Sequence, residues 1–376
     1  NVVKYYYSKD NGSNYVESTS SSYTFSNLTS DATFYVKVYV KDSNNRESSV
    51  SSTSIRTKIS LKEVCSSGTN LVSCIKTFGD KGSSVSNIYH HDASLANGAG
   101  DNSYRFAGAS DAVNNYVCFG SNTTPCPADN LYRIIGVFGD RVKLIKSDYA
   151  NSNLLGTNGD YNTATYTKSS SSTYKGELVT INQYSWNYKN NTSINDGYGS
   201  NTWSTSLLNK TNLNQNFITN IGAEWANKID MTTWKVGGNT KSKIYYQPIK
   251  TVYQNEIVNP VTTNSTDNKT EYSAKIGLMY VSDYGFAAAP SAWTTILNNY
   301  HRKAIKNVNW MYMGLLEWTI SRYANIAYFV VYVYDTGGVV NFNAYNACGV
   351  RPVFYLSSSV AYVSGDGTQN LPIRIN

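Results

Sequence analysis

Charge is scarce in this chain: Asp, Glu, Lys and Arg make up 15% of 376 residues, against about a quarter in an ordinary domain. Proline is scarce too, with 7, and histidine numbers only 3. The low charge does not signal disorder, because 41% of the residues are apolar and can build a core. Collagen, coiled-coil and long-helix classes are excluded by composition. The longest strongly apolar run, Ile326 to Val333, falls far short of the ~20 residues that span a bilayer, so no membrane insertion is expected. Basic residues outnumber acidic ones by 32 to 25, yet no window gathers four or five of them. Nucleic-acid binding, which concentrates charge on one stripe, is therefore not expected. Signatures of chemistry are missing as well. There is no G-x-S-x-G, H-E-x-x-H, P-loop or Rossmann fingerprint. Carboxylates are isolated, and His90-His91-Asp92 reads as a solvated loop without further ligands at a metal-binding spacing. No enzyme activity, metal or cofactor is expected.

What is abundant is tyrosine, 33 against 11 phenylalanines and 7 tryptophans. With frequent Ser, Thr and Asn, this reads as a β-rich, neutral-polar, extracellular surface. The cysteines agree. Cys65 and Cys74 lie nine apart, and Cys118 and Cys126 lie eight apart with Gly120, Asn122 and Pro125 between. Four cysteines allow three connectivities; local pairing in an oxidising compartment is the expectation, and reduced, buried thiols are the alternative. Cys348 is expected to stay unpaired. The chain opens inside what reads as a strand, Val2 to Tyr7, so the expectation is a fragment of a longer protein with any export signal upstream.

Organisation changes near residue 57. Residues 1–57 alternate at period two, in Tyr23-Thr24-Phe25 and from Phe34 to Val40, as half-buried antiparallel strands do. The stretch Leu28 to Val38 resembles the E–F corner of fibronectin type III and related Ig-like modules, with Phe34 in place of the corner tyrosine. That resemblance implies the last strands of a stalk module. Residues 58–80 read as a linker with an amphipathic stretch, Leu71 to Phe78. From Leu131 to Ile145, two apolar runs flank a Gly139-Asp140 turn, the strongest hairpin signal in the chain. Helices are expected over Ser204 to about Lys228 and over Ser291 to Tyr300, with a strand from Lys275 to Val281 between them. The whole is expected to be α+β with a mixed sheet.

The C-terminal quarter is the most informative. It reads Trp310-Met311-Tyr312-Met313-Gly314-Leu315-Leu316-Glu317-Trp318-Thr319-Ile320-Ser321-Arg322, then a tyrosine-rich stretch, then Gly349-Val350-Arg351-Pro352-Val353-Phe354-Tyr355-Leu356. This arrangement resembles the variable proteins of diversity-generating retroelements, whose ligand-binding domain has a C-type-lectin-like fold shared with formylglycine-generating enzymes. The resemblance implies one such domain over 81–376, with a mixed sheet and two helices, and a variable stretch at about 319–350. Retroelement diversification mutates adenines, chiefly in AAY codons, so altered positions are limited to residues encoded by NNY. Lys, Glu, Gln, Met and Trp fall outside that alphabet and make up about one residue in eight of this chain. None occurs from Thr319 through Thr368, where about six are expected. The alternative is a β-rich core that disfavours Lys and Glu in any case. The stretch departs from its fold relatives, since it offers only Cys348 where formylglycine-generating enzymes need a cysteine pair. The E-P-N, Q-P-D and W-N-D motifs of calcium-dependent lectins are also missing.

A hairpin is expected from Ala327 to Asn343 around Asp335-Thr336-Gly337-Gly338. Phe329, Val331 and Val333 share one face; Tyr328, Val330, Tyr332 and Tyr334 share the other. The first face suits a core and the second an exposed tyrosine ladder of the kind antibody paratopes use. The expected ligand site is Tyr323, Asn325, Ile326, Tyr328, Tyr332, Tyr334, Asp335, Gly338, Phe342, Tyr345, Asn346 and Cys348, framed by Trp318, Phe329, Arg351 and Pro352. The leading expectation is an adhesin-like protein on a bacterial surface or phage virion, with a protein or glycan ligand on another cell or virion. A stalk-and-tip protein with a fixed site is the second reading, and a formylglycine-generating-type enzyme the third.

Overall fold

Strand-forming alternation shapes the first element of the computed structural model, which describes residues 1–162, 173–174, 177–178, 181–188, 197, 199–239, 244–261 and 269–376. Val2–Ser8, Val16–Ser18, Thr33–Asp42 and Ser51–Arg56 form one antiparallel sheet in which the order is 16–18, 2–8, 33–42, 51–56. Tyr6 and Tyr39 face each other across it, with ring centroids 4.7 Å apart. Within this sheet only Tyr7 and Ser8 are buried. Tyr23-Thr24-Phe25, expected as strand, is irregular backbone; the Tyr23 ring instead lies 5.4 Å from that of Tyr7 and 4.9 Å from that of Phe25. The Ser30 hydroxyl donates to Glu63, and Ile59 N–H donates to Ser84 O at 2.9 Å, so both the sheet and the strand exit near residue 57 are tied to the main body.

A seven-stranded sheet dominates that body. The hairpin read from the sequence, Leu131–Phe138 and Arg141–Lys146, is its centre, turning at Gly139 with φ +64°. Outward from Arg141–Lys146 come Val353–Tyr355 and Ile276–Gly277; outward from Leu131–Phe138 come Tyr104–Phe106 and Ile88–His90, with Tyr116–Cys118 also pairing to Leu131–Phe138. Gly136 sits at a register shift where any Cβ would lie 2.2 Å from Tyr104 O, so the close crossing of those strands requires glycine. A second sheet carries the C-terminal hairpin, in the order Gly238–Asn239, Glu317–Tyr323, Phe329–Val333, Val339–Asn343. The architecture is α+β, with several antiparallel sheets and few helices.

Five expectations need correction. The stretch 58–80 is no linker: the helix Leu71–Gly79 is capped by Asn70 and buries Leu71, Cys74, Ile75 and Phe78 in the main core. Leu71 N–H also donates to Val360 O at 3.0 Å. The continuous helix over 204–228 is broken into a 3₁₀ turn at Trp203–Thr205, a π-helical run at Leu208–Phe217, and short α turns at Ile218–Asn220 and Ala223–Ala226. Gly222, at φ +83°, separates the last two. The segment 291–300 holds two 3₁₀ pieces, and the strand expected from Lys275 stops at Gly277 before the helix Val281–Phe286. His91 is not solvated. It is fully buried against Phe286 and Trp293, its Nδ1 accepts from Ala99 N–H at 3.0 Å, and burial holds its pKa down at about 2.

Cys65–Cys74 and Cys118–Cys126 are bridged, with Cα–Cα separations of 5.3 Å and 5.9 Å, and Cys348 is free and buried. Each bridge closes a short loop, so converting either pair to alanine should lower unfolding free energy by about 2–3 kcal/mol. Non-reducing peptide mapping should find both local bridges. Recovery of Cys348 in a bridge, or of four free thiols, contradicts the assignment.

Candidate functional site

Glu317 and Arg351 close the C-terminal hairpin segment from both ends. Arg351 Nε donates to Glu317 Oε1 at 2.7 Å and its Nη2 donates to Met311 O at 2.8 Å, with both residues at 2% exposure or less. Burial pushes the Glu317 carboxyl up, and the facing guanidinium opposes that shift. Trp318 comes next in the chain. It is buried, its indole donates to Tyr184 O at 2.8 Å, and its ring lies near Tyr332 and Phe342. Pro352 is buried.

Four consecutive residues of the hairpin's first strand, Val330 to Val333, are each 5% exposed or less. Successive strand residues point to opposite faces, so both faces of this strand are covered. This overturns the exposed ladder. Tyr332 is buried and stacks on Phe342, centroids 4.9 Å apart. Tyr323 is 2% exposed, and burial beside Tyr245 drives its phenol pKa up. Gly338 is buried against Asn298 O, Asn346 is buried, and Cys348 is buried with its thiol pKa pushed well up. Phe329, expected in the core, is half-buried at the strand's start between Tyr323 and Tyr328. The strand lies second from the edge of its sheet, and its faces are covered by segments from elsewhere in the chain. The helix Val281–Phe286 packs on the neighbouring strand Glu317–Tyr323, and Tyr284 donates to Gly337 O at 2.7 Å.

The expected residues that reach solvent do so at the hairpin's two ends, roughly 20 Å apart at about 3.3 Å per residue. At the loop end Asn325 is exposed, and Ile326 and Tyr328 are half-exposed. Ala344 N–H donates to Tyr328 O at 2.9 Å, which sets half-exposed Tyr345 beside them. At the turn end, Tyr334 is 42% exposed next to half-buried Asp335, whose carbonyl accepts from Tyr312 Oη at 2.7 Å. Phe342, half-buried, lies between the two ends on the edge strand.

Two residues that sequence reasoning missed hold this arrangement. Asn201, fully buried, puts its side-chain nitrogen 2.9 Å from Tyr323 O, 2.8 Å from Ile326 O and 3.0 Å from Phe329 O, clamping the loop end from below. Glu256, on a π-helical turn at Gln254–Val258, accepts from Val281 and Ser282 N–H at 2.9 Å each and from the Ser321 hydroxyl. It thereby joins the helix Val281–Phe286 to the strand beneath the hairpin. Burial raises its pKa to about 7 against those hydrogen bonds, which favour the charged form. No sequence motif marked either residue. Among the described residues, no group of three or more His, Cys, Asp or Glu side chains could hold a metal ion. No family model, curated protein or solved structure matches the chain.

Burial assigns opposite roles to neighbouring tyrosines. Trp318→Ala should cost about 3–5 kcal/mol of stability and Tyr332→Ala about 3 kcal/mol, whereas Tyr334→Ala should stay within about 0.5 kcal/mol. Chemical denaturation of the three variants checks this. Equal losses at Tyr332 and Tyr334 would contradict the assignment.

Glu256 also predicts a pH dependence. Its folded pKa lies above its unfolded value near 4.5, so the folded state binds the extra proton between these two values. Its contribution to stability is present below pH 4.5 and is lost as pH rises to about 7. Melting curves of wild type and Glu256→Gln across that window should therefore converge at the acid end, with the wild type falling relative to the variant as pH rises. A constant difference would show that Glu256 titrates normally.

Proposed function

We propose that this chain is an adhesin-like, surface-displayed binding protein whose C-terminal, C-type-lectin-like domain presents a retroelement-diversified ligand site. One coincidence carries the reading. The fifty residues from Thr319 to Thr368 contain only residue types that NNY codons can encode. The segment begins immediately after a buried Glu317-Trp318 frame and contains the hairpin whose two ends are exposed. A frame that holds the strands buried while leaving their ends in solvent tolerates sequence change where contact with a ligand would occur.

The site proposed is the loop end, Asn325, Ile326, Tyr328 and Tyr345, with Tyr334 and Asp335 at the turn end as a second contact. Tyrosine supplies large contact area at low entropy cost, which suits it to a binding surface. The N-terminal sheet is the last part of an Ig-like stalk module in this reading, and the two bridged cysteine pairs fit an extracellular setting.

The test is a screen of the purified chain against cells, glycans and secreted proteins, with paired binding and melting measurements on any ligand found. Tyr328→Ala and Tyr345→Ala should each cost about 2 kcal/mol or more of binding free energy, with unchanged melting temperature. The gene's neighbourhood should hold a reverse transcriptase and a near-copy of codons 319–356 with adenines at the tyrosine and asparagine codons. Ligand affinity that ignores every end residue, together with no template copy, favours a fixed-site stalk-and-tip protein instead.

A further inference from the structure

Lys146 ends the central strand Arg141–Lys146, where its backbone N–H donates to Pro352 O at 3.1 Å. Its side chain turns inward over Tyr132, with Nζ 5.9 Å from the ring centroid. The residue is 1% exposed, and Nζ has no hydrogen-bond partner among the described residues. The other buried lysine of this strand, Lys143, is paired with Asp283 at 2.5 Å. A buried amine without a hydrogen-bond partner is costly; Asp129 and Asp148 attract its charge, but burial still pulls its pKa down. Beside Lys146 opens a cleft of about 180 Å³, the size of a single sugar ring. Its remaining wall is almost entirely amide: Asn130, Asn151, Asn153 and Asn220, with Leu154 as the apolar contact and Asp129 at the rim.

We infer that this cleft is a second binding site, separate from the hairpin, for a sugar acid. The carboxylate pairs with Lys146 Nζ and supplies the missing partner. Asn153 is exposed, and the Asn220 side-chain nitrogen donates to Asn153 O and Leu154 O at 2.9 Å and 3.0 Å. Amides that both donate and accept suit ring hydroxyls, which do the same. Asp129 at the rim can accept from a ring hydroxyl. No hairpin residue lines the cleft, so this site stands or falls independently of the proposed hairpin site.

Calorimetry on the full chain with glucuronate, galacturonate and N-acetylneuraminate, each beside its neutral counterpart, tests the assignment. At least one acid should bind at millimolar concentration or better, with its neutral counterpart weaker by about tenfold or more. Lys146→Met should abolish that preference, because it removes the amine at similar volume. Asn153→Asp, at an exposed position, should weaken acid binding about tenfold by repulsion without affecting folding, and covers the case in which the lysine variant fails to fold. Double substitution of Tyr328 and Tyr345 should leave the affinity unchanged. Absence of binding by all three acids, equal binding of neutral sugars, or unaltered affinity in both cleft variants overturns the inference.

Discussion

Two charges that water cannot reach, on Glu317 and Arg351, set the terms for the C-terminal third of the molecule. They stand 34 residues apart in sequence and 2.7 Å apart in space, so everything between them is a closed excursion from a fixed base. Such a pair adds little net stability over a well-packed apolar pair, but removing one partner strands the other, at a cost of about 3–5 kcal/mol. Its value here is positional. Trp318 N–H donates to Gly349 O, and Gly349 N–H donates to Leu316 O, so the two ends of the excursion are also stitched by backbone.

The same principle of local satisfaction runs through the irregular parts of the fold. A chain with so little charge, and with strands joined by long irregular segments, must supply partners for many buried carbonyls. Asparagine does this repeatedly. Asn201 serves Tyr323, Ile326 and Phe329; Asn212 serves Leu155 and Asn158; Asn209 serves Trp203; Asn214 serves Ile276. Neutral amides satisfy these groups without the desolvation penalty of a charge. The composition that reads as polar surface is thus partly interior. Above that interior, the hairpin ends are held at defined positions while their side chains reach solvent.

Local patterns were legible where one physical preference dominated. The Leu131–Lys146 hairpin was readable because apolar runs flank a turn that needs positive φ, and the Leu71–Gly79 helix because its apolar positions recur at helical spacing. Both short disulfide loops were legible from the close spacing of the cysteines, and the second also from the turn formers between Cys118 and Cys126. The 204–228 helix was misread because apolar spacing alone concealed that Asn209 and Asn212 are buried, and that Gly222 takes a conformation which ends the helix. Misplacing Tyr323, Tyr332, Asn346 and Cys348 on the surface has a different cause. Alternation reveals which residues share a face, not whether a distant segment covers it. Here the helix Val281–Phe286 and the segment around Tyr184 and Trp186 do the covering, from far away in sequence. The frame residues Trp318, Arg351 and Pro352 were legible because they sit in motifs; Asn201, Glu256 and Lys146 were not, since a single polar residue shows its environment only after folding.

The central claim is a rigid buried frame carrying two locally free ends, and amide hydrogen exchange measures it most directly. The account predicts that the amides of Ile320, Val331 and Val333 exchange only through global unfolding, with protection equal to the full stability. Asn325 to Tyr328 and Asp335 to Thr336 should exchange through local opening, orders of magnitude faster. Exchange at Val331 and Val333 as fast as at the hairpin ends would mean that the strands themselves are labile. In that case no fixed frame exists for a variable site to rest on.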